Sequence, residues 1–450
     1  MIRTGITDAV PLSAVKRDMH NDMDDSRTDK NRNIDTLVGL AVFGAENQIR
    51  EEHHRIIREM ALGRGIFPAS IQGLYDAAGK GLYSGITVPA INIRGITYPI
   101  ARAVFRAAIK NRSGAFIFEI ARSEIDYTLQ RPGEYVACIL AAAIREEFTG
   151  PVFIQGDHFQ VRRRMYREDP EAELYNIKQL IREAVAAGFL NIDIDASTLV
   201  DIDKQDLSEQ QEMNCRITAE MTKLIRSVEP KGTTISVGGE IGEIGKGNST
   251  IADLRAFMDS YLSQLGKGVK GISKISVQTG TSHGGVVLPD GSIARVSIDF
   301  NTLKELSRVA REEYGMGGAV QHGASTLPDE AFDMFPKVDT VEVHLATGFQ
   351  NLVYDSPYFP EDLRDEIYKH IAVKYADERT PEQTDEQFYY RTRRKAFGDF
   401  KKELWHIPTQ NLNEIMKELE DRFSLIFHKL NVIDTTELVS KYVSNPSPPQ

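Results

Sequence analysis

The sequence predicts an α/β protein, a closed (β/α)8 TIM barrel with helical additions at its N- and C-terminal ends. Three observations predict it. Short β-rich runs alternate with amphipathic helical patterns along most of the chain. The runs number eight, and eight parallel strands close into a barrel. Polar and acidic residues gather at the C-terminal ends of those runs, the face where barrels of this kind present their loops.

Composition narrows the class. With 450 residues, 41% of them hydrophobic, the chain can bury a full core without covalent staples. The two cysteines, Cys138 and Cys215, exclude a disulfide framework and favour a reducing compartment. A formal charge of −11 argues against nucleic acid, whose phosphates demand a basic surface. No run approaches the ~20 apolar residues of a membrane span, and the N-terminus lacks a secretory apolar core, so a cytoplasmic protein without membrane contact is expected.

Residues 1–35 are polar and mixed in charge and read as a flexible arm. Residues 36–85 read as helices punctuated by Gly63, Gly65 and Gly81, leading into a barrel that ends at 352. The predicted strands are 86–93, 115–120, 152–156, 191–195, 234–239, 272–278, 319–322 and 338–344. Among the helices between them, 98–110 puts Ile100, Val104, Phe105 and Ala108 on one face. In 171–187 Leu174, Ile177, Leu180, Ile181 and Val185 share a face and Gly188 supplies a stop; in 301–314 Leu303, Leu306 and Val309 do so, stopped by Gly315. Residues 353–450 read as a helical C-terminal extension. It holds a basic cluster at Arg391, Arg393, Arg394 and Lys395, then an apolar helical stripe of Leu412, Ile415, Met416, Leu419, Phe423 and Ile426.

The third predicted strand closes with Asp157-His158, the fourth with Asp195-Ala196-Ser197 and the fifth with Glu240-Ile241-Gly242. The sixth leads to Ser282-His283-Gly284-Gly285 and the seventh to His322-Gly323-Ala324-Ser325. A lone histidine at a strand end is usually a hydrogen-bonded structural residue, and His20, His53, His54, His344, His370, His406 and His428 are read that way. Three histidines at converging ends, with Asp157, Asp195 and Glu240 beside them, instead form a first shell for a divalent metal. The glycine turns after the sixth and seventh strands lie where barrels offer bare N–H groups to phosphate.

These motifs, with Pro89-Ala90-Ile91-Asn92 on the first strand, resemble in order and spacing the class II, zinc-dependent fructose-bisphosphate and tagatose-bisphosphate aldolases over residues 70–352. The resemblance implies a catalytic Zn²⁺ held by His158, His283 and His322. It implies that Asp157 exchanges a proton with the substrate's C4 hydroxyl, and that Asp195 and Glu240 offer positions for a second divalent or monovalent cation. Asn92 would contact the substrate, and Gly284, Gly323, Ser325 and Thr347 would grip the phosphate of dihydroxyacetone phosphate. A small sugar phosphate as partner and a homo-oligomer follow from the same likeness. The metal would polarise a ketone while the C3–C4 bond breaks, so no lysine Schiff base is needed.

The chain departs from the family's pattern in its substrate half. Gly285-Val286-Val287-Leu288-Pro289 stands where a phosphate-binding lysine is usual, and His344 and Ala346 stand for an asparagine and an aspartate. Gly245-Lys246-Gly247-Asn248 lacks the family's mobile acidic pair, for which Glu243 is the nearest substitute. Arg162, Arg163 and Arg164 are the nearest replacement cations, against a plain reading as a solvated loop. Cleavage of fructose 1,6-bisphosphate to dihydroxyacetone phosphate and glyceraldehyde 3-phosphate is the default expectation. The alternatives are the same mechanism on another anionic keto compound, or a non-catalytic partner subunit of tagatose-bisphosphate aldolase, for which three intact ligands would be superfluous.

Overall fold

The computed structural model describes residues 26–242, 247–280, 288 and 297–443. Nine strands form one parallel sheet: β1 (Ile66–Ala69), β2 (Val88–Asn92), β3 (Ile117–Ala121), β4 (Gly150–Gln160), β5 (Asn191–Asp195), β6 (Ser236–Glu240), β7 (Lys274–Val277), β8 (Ala319–Gln321) and β9 (Glu342–Leu345). Strands β2 to β9 are the eight that the alternation predicts, and they close through pairing of β2 with β9 and of β4 with β5.

Strand β1 corrects the reading of 36–85 as wholly helical. Gly65, at φ 72°, ends the turn after helix Asn47–Leu62, and the next four residues extend. They pair with the lower half of β4, from Ile66 opposite Gly150 to Ala69 opposite Phe153, while the upper half of β4 pairs with β5. Pro68 is tolerated because β1 has a ladder on one side only. At the C-terminal end of β1, where β5 takes over along β4, the Asn191 side chain continues the bonding: it donates to Ala69 O and Ile154 O and accepts from Ile71 N–H. Helix Ser26–Phe43 takes in the end of the segment read as a flexible arm.

The helices between the strands bury the predicted faces, as in Thr97–Asn111, where Ile100, Val104, Phe105 and Ala108 are all buried. Cys138 and Cys215 are buried and free. No helix among the described residues is long and apolar enough to cross a membrane.

The interior of the barrel is polar below its mouth. Lys274, 1% exposed, reaches Gln155 Oε1 at 2.7 Å and Asp193 at 3.0 Å and also pairs with Glu342. Buried charges survive only when paired in this way. Glu342 also accepts from the Tyr75 hydroxyl and from Gln155 Nε2 at 2.9 Å.

The C-terminal extension wraps the barrel from one face to the other. Phe397 packs on Gly95, just past the C-terminal end of β2. Helix Thr409–Lys429 then lies along Thr97–Asn111 through Ile415, Met416, Leu419 and Phe423, with Arg106 Nε bonded to Glu420 at 2.6 Å. Past it, Thr435 Oγ1 accepts from Gly114 and Ala115 N–H at 3.0 and 3.1 Å, ahead of the N-terminal end of β3.

Candidate active site and metal centre

The strand-end residues meet in one cavity of about 620 Å³ at the C-terminal ends of the strands. A larger cavity, about 930 Å³, opens on the opposite face between Arg58, Ala69, Arg182 and Tyr442, but among the described residues no cluster of titratable groups able to hold a metal lines it. Chemistry, not size, singles out the first.

His158 is placed by an irregularity that no sequence pattern announces. The β4–β5 register shifts between Gly156 and Phe159, and His158 sits at φ 39°. Bulges re-aim side chains, and a non-glycine residue in the left-handed region costs of order 1–3 kcal/mol, so the surrounding structure must hold it there. Gly156 lets the Phe159 ring fold back, because a Cβ at 156 would collide with that ring.

The His158 ring lies between two sets of acids. Its Nδ1 is 3.2 Å from Asp195 Oδ2 and 3.0 Å from Glu240 Oε2. Its Nε2 is 3.7 Å from Asp157 Oδ1, and His322 Nε2 reaches the same oxygen at 3.5 Å. Asp157 Oδ1 is buried. Separations of 3.5–3.7 Å are long for charge-assisted hydrogen bonds. They suit ligands of one ion, since two donors each about 2.1 Å from a tetrahedral Zn²⁺ lie roughly 3.4 Å apart. Asp157, His158 and His322 therefore form one set able to hold a divalent metal, and His158, Asp195 and Glu240 form a second that shares the His158 ring.

The protonation states favour ligation. Burial raises Asp157, but the charges of His158 and His344 override it and keep the carboxyl well below the usual range. Burial, then the charges of His344 and His158, push His322 well below the ordinary histidine value, leaving a neutral imidazole. Burial also lowers His158, yet the Asp157 and Glu240 charges hold it well above normal, so a cation there would displace a proton. Asp195 is held low against burial by His158, and Ser197 Oγ and Gln160 Nε2 donate to it at 2.6 and 2.5 Å.

His344, read in the sequence as a hydrogen-bonded structural residue, is buried and hydrogen-bonded, and it also borders the site. It follows β9 inward, its ring centroid is 4.0 Å from that of His322, and its Nδ1 lies 3.2 Å from Asp157 Oδ1 and 2.9 Å from Glu119 Oε2. Its Nε2 meets Glu342 Oε1 at 2.6 Å, which joins the site to the polar interior. Burial lifts Glu119 to about 7, with the His344 charge opposing. A carboxylate in the apolar run of β3 was the available sequence signal for Glu119.

Asn92, at the end of β2, donates Nδ2 to Glu124 Oε2 at 2.7 Å and keeps a buried Oδ1 without a partner. Glu124 also takes Arg94 Nε at 2.7 Å, and Arg94 Nη1 reaches Gln350 Oε1 at 3.0 Å. Neither Arg94 nor Glu124 stands out in the sequence, because their pairing crosses from β2 to the helix after β3. Gly323, at φ 70°, Ser325 and Thr347 line the cavity at the ends of β8 and β9. Ser325 Oγ accepts from Ala346 N–H at 2.7 Å, which leaves its own proton to donate. Thr347 opens helix Thr347–Asp355. Arg162 and Arg163 line the cavity too, whereas Arg164 pairs in solvent with Glu168 at 2.9 Å. His283, Gly284 and Glu243 lie outside the described residues.

The fold resembles that of fructose-bisphosphate aldolase from Campylobacter jejuni, at 18% identity over 82% of this chain and 96% of that one, with a TM-score of 0.51. It also resembles the fructuronate-tagaturonate epimerase UxaE from Cohnella laeviribosi, at 11% identity over 85% of this chain and 86% of that one, with a TM-score of 0.59. No curated protein matches the sequence. The family model for class-II fructose-bisphosphate aldolase matches residues 70–411, which takes in every described residue of the site. The chain belongs to the class II fructose-bisphosphate aldolase family.

Proposed function

We propose that the chain is a zinc-dependent aldolase that cleaves a ketose phosphate between C3 and C4, with fructose 1,6-bisphosphate as the default substrate. The observation that carries the reading is the convergence of His158 and His322, their ring centroids 4.3 Å apart, beside the buried carboxylate of Asp157. His158 and His322 would hold the ion, with His283 as the third ligand. When bound, the ion supplies a Lewis acid that polarises the ketone and stabilises charge left at C3. Asp157, kept ionised, takes the C4 hydroxyl proton as the bond breaks and returns it in condensation. Asn92 Oδ1 accepts from a substrate hydroxyl. Ser325 donates its free proton to the phosphate beside Gly323 and the first turn at Thr347, where an anion is favoured.

One observation favours a second reading, the same chemistry on a different anionic keto sugar. His344 and Ala346 occupy the end of β9, where the resemblance leads one to expect an asparagine and an aspartate, so the substrate half departs from the default. Metal analysis with an assay panel tests both. The panel comprises fructose and tagatose 1,6-bisphosphates, ketose monophosphates, and the uronates named for the epimerase of similar fold. The expected result is one tightly held zinc per chain and chelator-sensitive cleavage of a ketose phosphate. Full activity after exhaustive chelation overturns the metal role. Metal-loaded protein inert on the whole panel overturns the catalytic reading and favours a partner subunit.

A further inference from the structure

The larger cavity, about 930 Å³ on the face of the barrel away from the metal site, has a lining that the proposed cleavage does not use. Its volume suits a small organic ligand. Its wall is apolar in one part, with Phe67 and Pro68 of β1, Leu62 from the helix before it, and Val228 and Pro230 from the end of helix Leu207–Val228 and the turn after it. Leu62 is 46% exposed. Tyr442, near the end of the C-terminal extension, closes one side, and its carbonyl stands where a Cβ at Gly73 would have to be. That close approach fixes the extension against helix Gln72–Gly79.

Three cations, Arg58, Arg182 and Lys231, stand in the same wall of a protein whose formal charge is −11. Arg58 donates to Ala186 O at 3.1 Å and to Ala187 O, carbonyls that orient its guanidinium and carry no net charge to cancel it. Acids on the neighbouring segments are already taken. Asp76, the acid among the described lining residues, holds Lys270 at 2.8 Å, Glu229 holds Arg226 at 2.8 Å, and Glu183 pairs with Arg131. The three cations have no carboxylate partner among the described residues. The wall is also bonded to the feet of three strands: β1 pairs with the lower half of β4, Asn191 at the start of β5 bonds to Ala69 and Ile71, and Ser70 Oγ accepts from Ser236 N–H at 3.0 Å at the start of β6. Those strands carry Asp157, His158, Asp195 and Glu240 at or near their other ends, so an occupant here is separate from the metal set.

We infer that this cavity is a second ligand site, for an organic anion whose oxyanion group meets Arg58, Arg182 and Lys231 and whose apolar, ring-sized body covers Phe67, Pro68 and Pro230. Guanidinium forks suit oxyanions, and a concave apolar wall gains by being covered. Neither half of the lining explains the other: the cations alone would take any small anion, and the apolar wall alone would take any neutral ring. Their juxtaposition selects a molecule that carries both. The site stands whether or not the aldolase reading does.

The test is fluorescence titration of the full-length protein with a matched pair of probes, 8-anilinonaphthalene-1-sulfonate and N-phenyl-1-naphthylamine, which is the same ring system without the sulfonate. Wild type is expected to bind the sulfonate about tenfold tighter than the neutral amine, the scale of one charge-assisted contact. Arg182→Ala and Lys231→Ala, both at exposed side chains, should each weaken sulfonate binding about threefold, as for partly solvated charges, and about tenfold together. Ala186→Trp, which fills the cavity from the end of helix Pro170–Ala187, should abolish it. Arg163→Ala, at the catalytic mouth, should leave it unchanged, and a melting temperature close to wild type shows that each variant is folded. Equal affinity for the two probes, no saturable binding of the sulfonate, or sulfonate binding that survives the Arg182→Ala/Lys231→Ala double variant and Ala186→Trp overturns the inference. Loss of binding in Arg163→Ala alone overturns it too, by moving the probe to the catalytic cavity.

Discussion

At the ends of β4 and β8 the polar atoms are buried or half-buried and answer to several neighbours at once; at the mouth near β2 and β3 the buried Arg94–Glu124 and Arg122–Glu173 pairs are joined by exposed arginines, Arg163 at the start of a short helix after β4 and Arg394 on the extension. His158 touches three carboxylates and Asp157 faces three histidines, all carried on barrel strands or one residue past them. Arg163 and Arg394 are exposed and depend on loop packing. Strand ends fix positions to fractions of an ångström, as bond making requires, whereas loops tolerate change and so accommodate differences in substrate. Damage to the first region should therefore appear in kcat and damage to the second in KM.

The comparison can be broken most directly at Asp157. Asp157→Asn should lower kcat by about 10²-fold or more, the usual loss for a general acid/base, with zinc content unchanged in elemental analysis. A parallel drop in metal would make Asp157 a ligand or a support for His158 and His322 instead.

Ser325→Ala sharpens the contrast from the other side. Losing one hydroxyl donor to a phosphate is worth about 1.5 kcal/mol, roughly tenfold in KM with kcat nearly constant in steady-state kinetics. An unchanged KM for every active sugar phosphate would move the phosphate site elsewhere.

The smallest effect is expected at Gly398→Ala. The added methyl must push the 393–398 segment, which carries Arg394, away from the Tyr127 carbonyl, an overpacking cost of about 1–3 kcal/mol that is partly relieved by local movement. Thermal denaturation should show a Tm lower by a few degrees, and KM should rise a few-fold at constant kcat. A kcat change of equal size would mean that the extension also disciplines the metal half.

What was legible in the sequence follows the same division. Short β-rich runs alternating with amphipathic helical patterns made all eight barrel strands visible, because strands covered by helices bury nearly every side chain. The approach of Asp157, His158 and His322 could be read because all three sit at strand ends that barrel closure brings together. Strand β1 was hidden by its shortness and by Pro68, which argues against a strand unless its single-sided pairing is known. His344 was legible only in part: its position in the substrate half could be read from the resemblance, but its contacts with Glu119 and Glu342 come from neighbouring strands that the sequence does not pair. The Arg94–Glu124 pair and the seat of Arg394 depend on contacts between segments 30 to 300 residues apart, and periodicity reports only on neighbours.

The wrapping of the extension bears on how the protein is made. The helix Thr97–Asn111 emerges early from the ribosome with an apolar flank that Thr409–Lys429 later covers. At translation rates of about 5–20 residues per second, the roughly 300 residues between them keep that flank bare for some 15–60 s. A nascent barrel in this interval exposes a sticky helix and lacks Arg394 at its mouth. Chaperone engagement on stalled chains should therefore end when helix Thr409–Lys429 clears the exit tunnel, and chains truncated before residue 409 should aggregate.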